Sequence, residues 1–171
     1  MSRHHRETPL VRLEPATADE YAAIRLLVLE SHAGGVAEAR RISLSDAREE
    51  AARKIEEVLP RALETPGMLF RTAWVADQPV GHIWSALPAP PDRPEAAWVF
   101  FVTVHPEYRG NGYGRAILLA AEEELLGLGV RRLELNVFGR NTAAIGLYRS
   151  LGYEVTSQQM AKPLQPAPTV T

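Results

Sequence analysis

Apolar and polar residues alternate from Leu10 to Leu13, and that alternation predicts a short strand. The next stretch, "ATADEYAAIRLLVLE", changes to a helical rhythm, with Thr17 placed to cap a helix. Asp19 and Glu20 suit the positive end of its dipole. In "SHAGGVAEARRI" the paired Gly34 and Gly35 predict a break or bend. Ser43 then opens a second helix, whose apolar stripe is Leu44, Ala47, Ala51, Ile55, Val58 and Leu59, with Pro60 as its stop. Its charges are mixed in sign and read as a solvated face. "MLFRTAWVADQPVGHIWSAL" predicts two strands joined by a turn around Asp77, Gln78 and Pro79. "PAPPDRPEA" has four prolines in nine residues and reads as an exposed loop rather than a lid. "AWVFFVTV" is almost wholly apolar, as a central strand covered on both faces would be.

Beyond it the rhythm turns helical from about Tyr113 to Leu128, with Ile117, Leu118, Ala121, Leu125 and Leu128 on one side. "RRLELNVF" predicts another strand, and Asn141 to Leu151 a helix with Ala144, Ile145, Leu147, Tyr148 and Leu151 aligned. Gly152 stands where a left-handed helix end is favoured. "YEVTSQQMAKPL" supplies the last strand or strands, and the Pro-rich "QPAPTVT" reads as disordered. The order is that of one mixed α/β domain over 10–164, with a flexible segment 1–9 and a tail 165–171.

Composition narrows the function without choosing it. The 171 residues suffice for one domain with a real core, and 46% hydrophobic with 23% charged residues is ordinary for a globular chain. A net charge of -2 offers no bulk attraction for nucleic acid. The absence of cysteine removes disulfides, thiolate metal sites and Cys nucleophiles. "MSRHHRETPL" lacks the apolar core of a secretory signal, and no apolar run reaches the roughly 18 residues of a membrane span. The expectation is a cytoplasmic protein with no membrane partner. The histidines show no metal-ligand spacing, so no metal is expected.

The candidate chemistry lies in "VHPEYRGNGYGRAILLA", where Gly110, Gly112 and Gly114 stand between the apolar strand and a helix. Glycines let a bound group approach the backbone, and a helix N-terminus offers unpaired N–H groups and positive potential to an anion. Arg109 and Arg115 add full charges at the same end. A tight structural turn is the competing reading. A P-loop is excluded, because no Gly-Lys-Ser/Thr follows. A dinucleotide loop is disfavoured: the spacing is G-x-G-x-G, and "HPEYR" intervenes after the strand, although Glu134 falls 20 residues past Gly114.

These residues resemble the acetyl-coenzyme A motif of the GNAT superfamily of N-acetyltransferases, R/Q-x-x-G-x-G/A, met by Arg109, Gly112 and Gly114. "LELNVFGRNTAAIGLYRSLGYEV" is similar to the segment that follows in that family, and "DQPVGHIW" has the look of its third strand. The resemblance implies a mixed sheet with a splayed strand before the coenzyme loop, flanked by about four helices. It implies acetyl-CoA as acyl donor and a primary amine, on a small molecule or a protein or peptide, as acceptor. The backbone of Val102, Thr103 and Val104 would bind the pantetheine arm, with the Val104 N–H on the thioester carbonyl. The amides of Gly110, Asn111, Gly112, Tyr113, Gly114 and Arg115 would hold the pyrophosphate. Asn141 reads locally as a helix N-cap, and the resemblance adds a coenzyme contact. Tyr148 reads locally as a core tyrosine, and the resemblance makes it the acid that protonates the departing thiolate.

Many relatives carry a Glu on the strand before the loop; here those positions are Phe100 and Phe101. Glu134, Glu30, His32, His82 or solvent are left as the proton acceptor, while His105, before Pro106, reads as a surface residue. The missing Glu keeps open a second class, an acyl-CoA-binding or sensing protein without turnover. The acceptor's identity and a homodimer both stay open.

Overall fold

Three of the four helices begin on side-chain caps that the sequence places locally. The computed structural model describes residues 8–89, 95–162 and 164. Its elements run β1 (Arg12–Pro15), α1 (Ala18–Arg40), α2 (Leu44–Val58), β2 (Met68–Val75), β3 (Gln78–Ala86), β4 (Ala96–Val104), α3 (Tyr113–Gly127), β5 (Arg132–Leu135) and α4 (Thr142–Ser150), with short 3-10 turns at Ala62–Glu64 and Pro106–Tyr108. Thr17 accepts from the Glu20 N–H at 3.3 Å while the Glu20 carboxylate takes the Thr17 N–H at 2.7 Å, a reciprocal capping box. Ser43 caps α2 through the Asp46 N–H, and Asn141 caps α4 through the Ala144 N–H.

The strands form one sheet in the order β1-β2-β3-β4-β5. The first three pairings are antiparallel and β4–β5 is parallel. The mixed α/β architecture expected from the sequence is therefore present. On one face α1 and α2 bury Ile24, Val28, Ile55 and Leu59 against Phe70 and Trp84. On the other, α3 buries Ile117, Leu118 and Ala121 against Val80, Ile83 and Val99, with Leu147, Tyr148 and Leu151 of α4 at the margin.

Several expectations are corrected. The first strand lies two residues later than the alternation suggested, and the β2–β3 turn is Ala76–Asp77, leaving Gln78 and Pro79 in β3. Ala76 takes the left-handed conformation that the tight turn demands. Gly34 and Gly35 do not break α1, which continues through both to Arg40. Each glycine costs about 1 kcal/mol relative to alanine in a helix. Packing overrides that cost, since Ala33 and Val36 are buried on Ala47 and Ala51 of α2, and Gly35 is covered by the Phe138 ring.

No strand forms over Tyr153–Lys162. Tyr153 is anchored by Tyr148 and Glu122, but Val155 and Met160 are 67% and 85% exposed. Those apolar side chains meet no surface that would repay fixing the backbone as a strand. Most of the "PAPPDRP" loop, segment 1–7 and the tail 165–171 lie outside the described residues. Among the described residues no helix is long and apolar enough to cross a membrane.

Candidate active site

β4 does not end as it begins. Ala96 to Val99 are paired with β5, and the pairing stops at Val99↔Leu135. One residue further, the β3–β4 register jumps: Trp84 faces Phe101 while Ser85 faces Val99, so Phe100 is a bulge. A bulge bends its strand and increases the local twist. Here it turns the second half of β4 away from β5 and opens a wedge in the sheet. The burial changes with it, from Ala97 and Val99 in the core to half-buried Val102, Thr103 and Val104. The expectation of a strand covered on both faces thus holds only for its first half.

Hydrogen-bond parity decides what the wedge contains. The His105 N–H donates to the Val80 carbonyl at 2.9 Å, so His105 is bonded towards β3. Antiparallel strands alternate bonded and non-bonded pairs. With Gly81↔Val104 and Ile83↔Val102 as partners, Thr103 and Phe101 also bond towards β3, and Val102 and Val104 turn their backbone groups into the wedge. Thr103 therefore sits at the wedge by position, with its own backbone groups committed to the ladder. Gly81 makes this strand approach feasible, because a Cβ there would collide with the Thr103 carbonyl oxygen.

The glycine loop continues directly from that edge. Gly110 and Gly112 take φ of 77° and 85°, values at which only glycine is unstrained. Gly112 is the N-cap of α3 and carries no side chain to cap it. The first intrahelical bond is Ala116 N–H to the Gly112 carbonyl, leaving the N–H groups of Tyr113, Gly114 and Arg115 outside the helical ladder. In contrast to the other three helices, α3 presents an uncapped positive end. Asn111 props the turn by donating to the Tyr108 and Arg109 carbonyls. The arginines are engaged internally: Arg109 Nε donates to the Val104 carbonyl at 3.1 Å, and Arg115 donates to the Ser150 hydroxyl at 2.5 Å. Gly114 lets α4 close on α3, its position lying 3.2 Å from Leu147 for any added Cβ.

Tyr148 is brought to the same end of the sheet. It is half-buried beside Tyr153, with ring centroids 5.6 Å apart, and its burial pushes the phenol above its ordinary value. A phenol held in that way stays protonated and able to donate. Asn141 lies at the exposed start of the same helix, with its side chain used as the cap.

The family model described as "Acetyltransferase (GNAT) family" matches residues 36–153, which take in the wedge, the glycine loop and Tyr148. The chain belongs to the GNAT family. The uncharacterized N-acetyltransferase YycN of Bacillus subtilis is 28% identical over 156 residues, 90% of this chain and 99% of that one. The uncharacterized N-acetyltransferase YdgE of the same organism is 28% identical over 153 residues, 89% and 97% of the two chains. The crystal structure of YycN superposes with a TM-score of 0.84 at 27% identity, covering 91% and 99%. The PaiA N-acetyltransferase of Thermoplasma acidophilum, solved in complex with coenzyme A, shares the fold at a TM-score of 0.62 and 19% identity, covering 87% and 92%.

A GNAT acetyltransferase must dispose of a proton from its amine, and the candidates in this chain are dispersed. Glu30 is gripped by Arg48, with contacts of 2.7 and 3.0 Å, and that hydrogen bond holds its carboxyl below the usual range. His32 lies against Phe138, and burial lowers its pKa. Glu134 pairs with Arg132 at 2.6 Å and stands beside Trp98 on the face away from α3. His82 is buried within the sheet and burial drives its pKa down to about 4. His105 corrects the surface reading: it is half-buried, with its Nε2 3.0 Å from Nε2 of His82. The two lie 23 residues apart, and only the β3–β4 register brings them together. Among the described residues no three His, Asp or Glu side chains are grouped to hold a metal ion.

Proposed function

We propose that this GNAT chain transfers the acetyl group of acetyl-CoA to a primary amine by direct attack in a ternary complex. The observation that carries the reading is the wedge beside β4, into which Val102 and Val104 turn backbone groups just before an uncapped helix end. A pantetheine arm can complete the exposed ladder as an added strand would. Its pyrophosphate then reaches the amides of Gly110 to Arg115, where an anion is favoured by both unpaired N–H groups and the helix dipole. Arg109 supports the cradle from within by fixing the Val104 carbonyl, and Asn141 adds a contact from the start of α4.

In the reaction the amine nitrogen attacks the thioester carbonyl and a C–N bond forms. The Val104 N–H stabilises the negative charge that develops on the oxygen. As the C–S bond breaks, Tyr148 gives its proton to the thiolate, and the proton from the amine passes to water or a nearby base. The acceptor is a primary amine on a small molecule or on a protein or peptide.

Acetyl-CoA turnover against a panel of α-amines, lysine side chains, polyamines and aminoglycosides tests the proposal. Turnover with at least one amine is expected. Coenzyme A binding without turnover on any of them would favour the binding or sensing reading. The loop has its own test: Gly112→Val places a β-branched residue at φ of 85°, with its Cβ about as close as 3.3 Å to Pro9, in the turn that faces the pyrophosphate. Coenzyme A affinity measured by calorimetry is expected to be lost while the circular dichroism spectrum is kept. Undiminished binding would remove the loop from the site.

A further inference from the structure

The buried polar groups of the sheet form a line that the reaction above does not use. Thr72, fully buried, lies 3.2 Å through Oγ1 from Nδ1 of His82 on β3. His82 Nε2 lies 3.0 Å from Nε2 of His105, which directly follows Val104. We propose that His82 and His105 are positioning residues for the coenzyme loop, held in opposite tautomers by the Nε2–Nε2 hydrogen bond between them. The inference rests on the coenzyme site proposed above.

The two tautomers are tied together by what each group can do. A hydrogen bond between two Nε2 atoms needs one N–H and one lone pair, so only one of the two rings carries its proton on Nε2. With His105 as that donor, His82 carries its proton on Nδ1 and donates to the Thr72 oxygen. With His82 as the donor, its Nδ1 accepts from the Thr72 hydroxyl instead, so either arrangement pairs the two rings in opposite tautomers. Burial keeps His82 neutral, with the proximity of His105 acting in the same sense and Glu20 against it. Glu20, His105 and the Thr72 hydroxyl are the groups that face it from α1, the β4 end and β2. The chain therefore ends by holding the His105 ring, while the His105 N–H is held by Val80 and the preceding carbonyl by Arg109. Three anchors converge on the Val104–His105 peptide, whose neighbouring N–H faces the wedge.

Long-range 1H–15N correlation spectra of the protein without coenzyme test the tautomers directly. At pH 8 one of the two rings is expected in the Nε2–H form and the other in the Nδ1–H form; both rings in the same tautomer overturns the proposal, whatever the enzyme's activity. Thr72→Val keeps the side-chain shape and removes the hydroxyl. It is expected to weaken coenzyme A binding about fivefold, the effect of one net hydrogen bond, with kcat at saturating acetyl-CoA changing less than KM. Unchanged affinity overturns the proposal. His105→Leu and His105→Gln supply a second pair at an accessible position. The Gln amide can still donate to His82, so Gln is expected to rescue most of the affinity that Leu loses, and equal losses overturn the proposal. Wild-type protein that binds no coenzyme A would instead refute the coenzyme site itself.

Discussion

Tyr148, proposed above as the general acid, would have to satisfy both a core and a reaction. Its stripe position packs it against the α3 side of the sheet, and the same burial raises its pKa, so the hydroxyl keeps its proton. A general acid of this kind contributes roughly 10²–10⁴-fold to a rate. Tyr148→Phe removes only the hydroxyl, so kcat is expected to fall about 10²-fold or more while coenzyme A affinity, measured by calorimetry, stays near that of the wild type. Equal kcat would assign the proton to another donor. The pH profile carries a sign as well: because the phenol is raised, activity should show no loss from its ionisation below about pH 10. The residues legible in the sequence at this scale are those whose role is local. Thr17, Ser43 and Asn141 cap the helices that follow them, and each bond reaches only three residues. His105 was read as a surface residue because its partner, His82, lies across a strand pairing that composition and spacing do not reveal.

Among the elements, periodicity identified every helix and five strands, and it failed where long-range packing decides. Gly34 and Gly35 have the local chemistry of a helix break, yet α1 continues because its last turns are tied to α2 and to the β5–α4 loop. Arg48–Glu30 and Arg40–Glu50 link the two helices, and Arg140 pairs with Glu38 from the loop. The converse failure is Tyr153–Lys162, where alternation is present and burial is not. The resemblance implied a splay near Val102 to Val104, whereas the bulge lies earlier, at Phe100, where no residue type marks it. Gly81, by contrast, carries a testable strand-level consequence. A Cβ at this position would strike the Thr103 carbonyl oxygen and lie 2.9 Å from Ile117 Cδ1 and 3.1 Å from Val104 Cα. Backbone cannot step aside as a flexible side chain can, so Gly81→Ala should destabilise by about 1–3 kcal/mol, the range for overpacked cores. Urea unfolding checks this, and a loss under about 0.5 kcal/mol would show that β3 and β4 can separate without penalty.

For the molecule as a whole, the three layers place the His82–His105 pair where α1, the sheet and the segment leading to the glycine loop meet. His82 has its pKa lowered from 6.5 to about 4, chiefly by burial, and next by the nearby His105. In the unfolded chain the imidazole takes up a proton as pH falls through about 6.5, whereas in the folded chain it resists until about 4. The unfolded state therefore binds more protons across that window. The contribution of His82 to folding is complete above pH 6.5 and is lost progressively as pH falls to about 4, with a slope of at most about 1.4 kcal/mol per pH unit for one proton. The carboxylates complicate the lower end, since Glu30 and Glu50 are held down by hydrogen bonds from arginine and lysine and also lose stabilisation on acidification. His82→Gln separates the two contributions. Unfolding midpoints in urea, taken from pH 7.5 down to 5, are expected to fall for the wild type and to fall less steeply for the variant. Parallel slopes would place the acid sensitivity of the fold in its carboxylates and leave the histidine pair without a part in it.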